Sequence, residues 1–273
     1  MSAQPPLAVP DLDEAAHLIA DLRLRRNGRE GEIAGLPDHC RPRTLADAYS
    51  IQERARPLIA EGLGPAAGYK VGATAKVMQE RLGIHFPCAG TLFAKRIFPS
   101  GATIARSDYR HLGVECEIGV RMGAALPGKT GGYDRDGVLP AIAAVFVSIE
   151  IVEHRFTDVR GVGPETHVAE DFYSAGVILG PEHSLSALAP AGHAAGEIRI
   201  DGAQAFAGHV RDILGHPLNS LAWLADHLAT RGTPLSAGDI LTLGSISPGS
   251  HIAEQATVEA RFEGLGSCML AVL

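Results

Sequence analysis

Between Leu139 and Val152 the sequence is almost continuously apolar and becomes β-branched towards its end, through Val145, Val147, Ile149, Ile151 and Val152. Such a run reads as a strand buried on both faces. Its longest apolar part, Ala141 to Ile149, is far too short to cross a bilayer. One carboxylate, Glu150, sits inside it. Glycine is the other constraint. It supplies 32 of 273 residues, well above the usual ~7 %. The glycines follow no G-X-Y period, which excludes collagen, and they imply many tight turns between short strands. The length suits one large domain or two small ones with a core that needs no staples. With 20 % charged residues the chain is not a disordered one, and a net charge of −7 argues against nucleic acid as a partner.

The first sixty or so residues read as helical. Asp11 and Glu14 have the form of a capping signal for a run to Arg26, stopped by Asn27 and Gly28. Residues 28–43 read as a Gly/Pro-rich loop. Thr44 with Asp47 opens a second helix that ends near Gly62. The expected organisation is a helical N-terminal arm over residues 1–62 and a β-rich core over 63–273, of α+β class. Strands are expected at Val114–Arg121, Leu139–Val152, Ser174–Leu179, Glu197–Ile200, Ile240–Leu243 and Thr257–Phe262. Helices are expected at Thr74–Leu82 and at Pro217–Thr230, with Pro217 in the first turn. The four cysteines (Cys40, Cys88, Cys116, Cys268) form no C-x-x-C pair, and the first ten residues carry no secretory signature. A reducing cytoplasm is the expected compartment.

Five stretches could carry chemistry. Gly123 to Thr130 matches the phosphate-loop expression, but Gly131, Gly132 and Asp134 follow it with turn chemistry where that motif needs a helix. It reads as a surface loop. Glu115 and Glu117 stand two apart on an alternating strand, so both side chains share one face, either solvated or holding a hard cation. Glu150, in its apolar run, must be paired, protonated or metal-bound, unless it lies near water at the strand end or pairs with Arg155. Lys70, between Gly68 and Gly72, is a snorkelling side chain, a proton-handling one or a carboxylate binder. The Gly244 to Gly249 turn, with Ser245 and Ser247, is a plain turn or an anion seat. His85, His154, His167 and His251 lie near these segments in no recognisable ligand pattern.

In order along the chain, several pieces resemble the 2-keto-4-pentenoate hydratase / 4-oxalocrotonate decarboxylase branch of the fumarylacetoacetate hydrolase superfamily. They are Ala48 to Gln52, Gly68 to Gly72, the Met78–Gln79 helix leading to Leu82 and Gly83, Gly90 to Phe93 and Glu115 to Glu117. Glu150 to Val152, Ser174 to Gly176, Leu214 to Asn219, Trp223 to Ala225 and Gly238 to Ile240 complete them. The resemblance implies a mixed β-roll core with a helical N-terminal arm, Mg²⁺ or Mn²⁺, and a 2-oxo acid substrate whose enolate the ion stabilises. It implies Glu115, Glu117 and Glu150 as metal ligands and Lys70 as the active-site lysine. Ser174, Gly244, Ser245 and Ser247 are implied at the substrate. A homo-oligomer is implied too, with a decarboxylase or hydratase chain as a conceivable partner. The expected activity is a hydratase; decarboxylase, C–C hydrolase and non-catalytic partner are alternatives. Four positions depart from the pattern. Cys88 stands where relatives carry an acid, Phe172 replaces an amide, Ile246 replaces a Phe and Gly113 replaces an Arg.

Overall fold

A computed structural model describes residues 6–24, 33–158, 161–188 and 194–273. Helices α1 (Val9–Leu24) and α2 (Leu45–Leu63) come first. The Thr44 hydroxyl accepts from Asp47 N at 3.1 Å and caps α2, while the Asp47 carboxylate accepts from Leu7 N at 3.0 Å. At the other end Leu24 packs where a side chain on Gly62 would sit, so α1 and α2 lie side by side and run the same way. Helix α1 begins two residues before the expected cap, and the expected stop at Asn27 and Gly28 falls outside the described residues.

Two sheets follow. The larger has eight strands. Its main path runs β2 (Cys88–Phe93), β1 (Ala66–Gly72), β10 (Ile240–Ser245), β5 (His111–Met122), β6 (Ile142–His154), β7 (Ser174–Leu179) and β3 (Ile97–Pro99). The two-residue β11 (Ser250–His251) pairs with β5 beyond the end of β10. The smaller sheet runs β4 (Ala102–Ile104), β13 (Gly266–Val272), β12 (Ala256–Phe262), β8 (Ala195–Ile200) and β9 (Ala203–His209). Between the strands lie the short helices α3 (Lys76–Leu82), α4 (Arg135–Val138) and α5 (Gly163–Ala169) and the longer α6 (Pro217–Thr230).

The sheets pack face to face, with Cys116 Sγ 3.5 Å from the Glu197 carbonyl and Cys268 Sγ 3.4 Å from that of Ile178. Val114, Cys116, Ile118 and Val120 of β5 and Val145, Val147, Ile149 and Ile151 of β6 fill this layer, all buried. The alternate residues of the same strands therefore face the other way. Helices α2 and α5 cover the larger sheet elsewhere. Gln52 Nε2 donates to the carbonyls of Ala89 and Val168 at 2.9 and 2.8 Å and joins them. Strand β6 is buried without a break from Ala144 to Val152, as its apolar run requires.

The other expected elements are present, Ser174–Leu179 and Pro217–Thr230 with the expected ends and the rest within three residues of them. The strands not foreseen are instructive. Strands β1 and β2 carry Gly68, Gly72 and Gly90 in place of β-branched residues, because other parts of the chain press against them. Strands β3, β4 and β11 are only two or three residues long, too short for a pattern to register. Helix α5, also unforeseen, opens on Gly163 and Pro164, a start signal carried by two residues alone. After Thr130 the chain turns at Gly131 and Gly132. Helix α4 beyond it is a single turn whose start is capped by the Asp134 carboxylate, not the helix that the phosphate-loop motif needs. No described helix is long and apolar enough to cross a membrane.

Gly68 has φ of +157°, and a Cβ there would lie 1.8 Å from the Ile240 carbonyl oxygen. That contact is with backbone in the parallel β1–β10 pair and cannot swing away. Gly68→Ala is expected to cost at least ~2 kcal/mol, read as a lower urea midpoint with an unchanged slope. An unchanged midpoint would contradict the pairing.

Candidate functional site

Strand register builds the site. Glu115 on β5 lies directly opposite Glu150 on β6, and Glu117 opposite Ser148. Cross-strand partners share a face, and so do residues two apart. All three carboxylates therefore leave the larger sheet on the side away from the smaller one, and one oxygen from each lies within 4.8 Å of the others. Strand β1 adds Lys70, whose Nζ is 3.2 Å from Glu150 Oε1. It donates to the Phe172 carbonyl at 3.1 Å. Arg155, the other candidate partner for Glu150, is engaged by Glu153 and Glu170.

Strands β10 and β11 flank the same edge of β5, and the chain between them, Ile246–Gly249, bulges outward at Glu115. Hydrogen bonds shape the bulge. Ser245 Oγ donates to the Cys116 carbonyl at 3.1 Å, Cys116 N donates to Ser247 Oγ at 3.2 Å, and Ser247 N donates to Ser245 Oγ at 3.0 Å. A cavity of about 1310 Å³ opens here, lined by Lys70, Glu115, Glu117, Phe172, Ser245 and Ser247 among others. Glu150 lies beneath it, fully buried. On the far wall the Tyr173 ring sits between those of His154 and His167, at 4.7 and 4.5 Å. Three expected residues lie off the cavity. Ser174 is buried at the start of β7 with its carbonyl taken by Arg155. Gly244 lies against Thr74, and Cys88 is buried in β2. Phe172, by contrast, lines it and lays its ring 5.1 Å from Lys70 Nζ. The residues missed in the sequence act through backbone or from far away. The Phe172 carbonyl leaves no side-chain signature, and Arg23 of α1, which pairs with Asp171 beside it, reads only as part of a helix.

Residues 70–273 match the model of the fumarylacetoacetate hydrolase C-terminal family. The chain belongs to that family. It is 31 % identical over 246 residues to the 2-keto-4-pentenoate hydratase of Burkholderia vietnamiensis (strain G4 / LMG 22486), covering 90 % of this chain and 93 % of that one. It is 30 % identical to the 4-oxalocrotonate decarboxylase of Pseudomonas putida, over 82 % of this chain and 84 % of the other. Among solved structures, the 4-oxalocrotonate decarboxylase from Pseudomonas putida G7 complexed with magnesium and adipate superposes with a TM-score of 0.89. It is 26 % identical, over 99 % of this chain and 100 % of that one. Two mixed sheets with helices at the N-terminus are the fumarylacetoacetate hydrolase type of fold, as the sequence implied.

In this family member the electrostatics of the site are unbalanced. Glu117 and Glu150 are buried; Glu117 Oε2 and Glu150 Oε2 have no hydrogen-bond partner, and Glu150 Oε1 is met by the Lys70 ammonium at 3.2 Å. Burial pushes the Glu115 carboxyl up to about 8, with Glu150 adding to the rise and Lys70 opposing it. Glu117 is raised well above the ordinary range by burial and by Glu150. Burial also raises Glu150, against the pull of Lys70. Burial alone would lower Lys70, but Glu150, Glu115 and Glu117 outweigh it and hold the ammonium charged. Three carboxylates against one ammonium, with orphaned oxygens converging within 4.8 Å, make an oxygen donor set that fits a hard divalent cation.

This imbalance gives the ion-free protein a pH signature. Between about 4.5 and about 8 the Glu115 carboxyl binds a proton when folded and has lost it when unfolded. Stability therefore falls as pH rises through that window. Glu115→Gln is expected to raise the Tm of chelator-treated protein by at least about 3 °C at pH 8 and to change it little at pH 5. Equal shifts at both pH values would contradict the assignment.

Proposed function

We propose that this chain is a divalent-metal-dependent lyase of small 2-oxo acids, with Glu115, Glu117 and Glu150 as the ligands of Mg²⁺ or Mn²⁺. The observation that carries the reading is the convergence of three carboxylates within 4.8 Å, with Lys70 as their one ammonium partner and with Glu117 Oε2 and Glu150 Oε2 buried and unpartnered. The bound ion supplies Lewis-acid stabilisation of the negative charge that develops on a 2-oxo acid as it enolises. Lys70 holds a proton at Nζ at the edge of this cluster, oriented by the Phe172 carbonyl, and delivers it when a dienol becomes its keto form. Ser247 offers its hydroxyl from the cavity wall to the substrate carboxylate, and Ser245, whose proton goes to the Cys116 carbonyl, fixes the turn that carries it. Gly244 carries the turn that places them at φ +116°.

The favoured reaction is hydration of a 2-hydroxy-2,4-dienoic acid. Ketonisation puts a proton on the far end of the diene, and water then adds across the remaining conjugated bond. The similarity to named hydratases over nine-tenths of the chain supports it. The second reading is decarboxylation of a 2-oxo diacid, in which the same enolate forms by loss of CO₂. The superposition on a decarboxylase over 99 % of the chain favours it. So does Cys88, an apolar buried thiol at the position where the resemblance places an acid.

The test is an ultraviolet assay on 2-hydroxypenta-2,4-dienoate for hydration, run beside a six-carbon 2-oxo-enedioic acid with product analysis for CO₂. Exhaustive chelation is expected to abolish turnover and Mg²⁺ to restore it. Glu117→Gln and Glu150→Gln are expected to lower kcat by at least ~10³-fold, the equivalent of several kcal/mol of charge stabilisation. Full activity after chelation would overturn the reading. Mg²⁺ at about 100 times its Kd adds about 2.7 kcal/mol of stability, expected as a rise of about 5–10 °C in Tm. That rise should vanish in Glu150→Gln.

A further inference from the structure

The turn beside the carboxylates holds an uncommon backbone. Asp171, Phe172 and Tyr173 take φ values of +64°, +50° and +66° in succession. L-residues visit this left-handed region singly, and a run of three persists only where the surroundings over-determine it.

Two buried arginines do so here. Arg155 donates to Glu170 Oε2 at 2.7 Å and to the Ser174 carbonyl at 2.9 Å, which fixes both ends of the turn. Arg23 reaches in from α1. Its NH1 donates to the Glu170 carbonyl at 3.2 Å and forms an ion pair with the Asp171 carboxylate, whose other oxygen accepts from Thr91 N at 2.8 Å. Inside the turn Phe172 N donates to the His167 carbonyl at 2.7 Å, and Tyr173 N donates to Glu170 Oε1 at 2.9 Å. The turn is pressed onto the sheet. The Asp171 carbonyl occupies the space over Gly90, where a Cβ would come within 2.6 Å of it.

That placement sets the Lys70 ammonium, because it donates a hydrogen bond to the Phe172 carbonyl in the middle of the turn. The Phe172 ring closes over the same nitrogen. Moving the turn moves the acceptor.

We propose that Arg23 is a positioning residue, whose ion pair with Asp171 clamps the 171–173 turn and thereby aims the Lys70 ammonium at the cavity. The proposal rests on Lys70 as the proton-handling group, and it gives the first helix a part in the reaction. The hydrogen bonds and the ion pair of Arg23 go to Glu170 and Asp171 rather than to Glu115, Glu117 or Glu150, so its loss takes from the ligand set only a through-space charge on Glu150.

Three variants test it: Arg23→Gln, Asp171→Asn, and the two together, made in the full chain and again with Lys70→Met. The single changes leave a buried charge without its partner. The double variant removes both charges, and the amide oxygen that replaces the Asp171 carboxylate can still accept from Thr91 N. Amide exchange at Phe172, Tyr173 and Ser174 is expected to rise at least ~10-fold in the double variant while β5 and β6 stay protected. With 2-hydroxypenta-2,4-dienoate, kcat is expected to fall ~100-fold, as for a misplaced catalytic group. KM and Mn²⁺ affinity, the latter by electron paramagnetic resonance, are expected to stay within about threefold. On the Lys70→Met background the same substitutions are expected to change kcat less than about twofold, since residues acting through one another are not additive. Unchanged exchange across the turn would overturn the clamp. Equal losses of kcat in both backgrounds, or loss of Mn²⁺ affinity, would overturn its action through Lys70. Full activity of Lys70→Met alone would count against the proposed function, while the exchange measurement still decides whether Arg23 holds the turn.

Discussion

The antiparallel register of two strands places Glu115 against Glu150, and the rest of the molecule answers to that juxtaposition. A slip of one residue would send the carboxylates into the apolar layer between the sheets, where Cys116 and Ile149 now meet. Ionised carboxylates removed from water are costly unless paired or bound to a cation. The protein accepts that cost on one face of its larger sheet. Lys70 meets part of it at Glu150 Oε1, and the unpartnered Glu117 Oε2 and Glu150 Oε2 mark what is left for an ion to meet.

The remaining architecture keeps this face ordered. The smaller sheet buries the reverse side of β5 and β6 through Val114, Ile118, Val147 and Ile151, which pins the register by hydrophobic burial. Helices α2 and α5 are tied to one another and to β2 by Gln52. The break between β10 and β11 leaves the cavity mouth where Glu115 is least buried, so the cluster is reached from one side. Charged groups farther out, the buried Arg23, Arg155, Glu170 and Asp171 with the half-buried Glu153, form a second network behind the wall that carries Phe172. Dense pairing of this kind favours one conformation of that wall over many.

Some of this was legible in the sequence. The alternation around Glu115 and Glu117 implied a strand with both carboxylates on one face, and the apolar run implied a buried strand with an awkward Glu150. What alternation does not carry is which strands become neighbours, so the meeting of Glu115 with Glu150 rested on their shared residue type and on the family resemblance. Lys70 stood out as a cation among glycines, yet β1 did not read as a strand, because glycines at its contacts with Ile240 and Phe172 erased the usual β-branched pattern. The Phe172 carbonyl and the three left-handed residues were invisible, since non-glycine residues give no sign of positive φ. Ser174 and Gly244 belonged to recognisable stretches but lie off the cavity, because motif membership says nothing about which way a residue faces.

One ion held between two strands is the claim on which the rest turns. A crystal soaked with Mn²⁺ and oxalate, with data collected at the manganese edge, tests it most directly. The expected result is a single strong anomalous peak per chain, about 2.0–2.3 Å from one oxygen each of Glu115, Glu117 and Glu150. Oxalate should chelate the same ion on the cavity side, within reach of Lys70 and the Ser245–Ser247 turn. An ion bound elsewhere, or oxalate seated with no ion at the three glutamates, would contradict the claim.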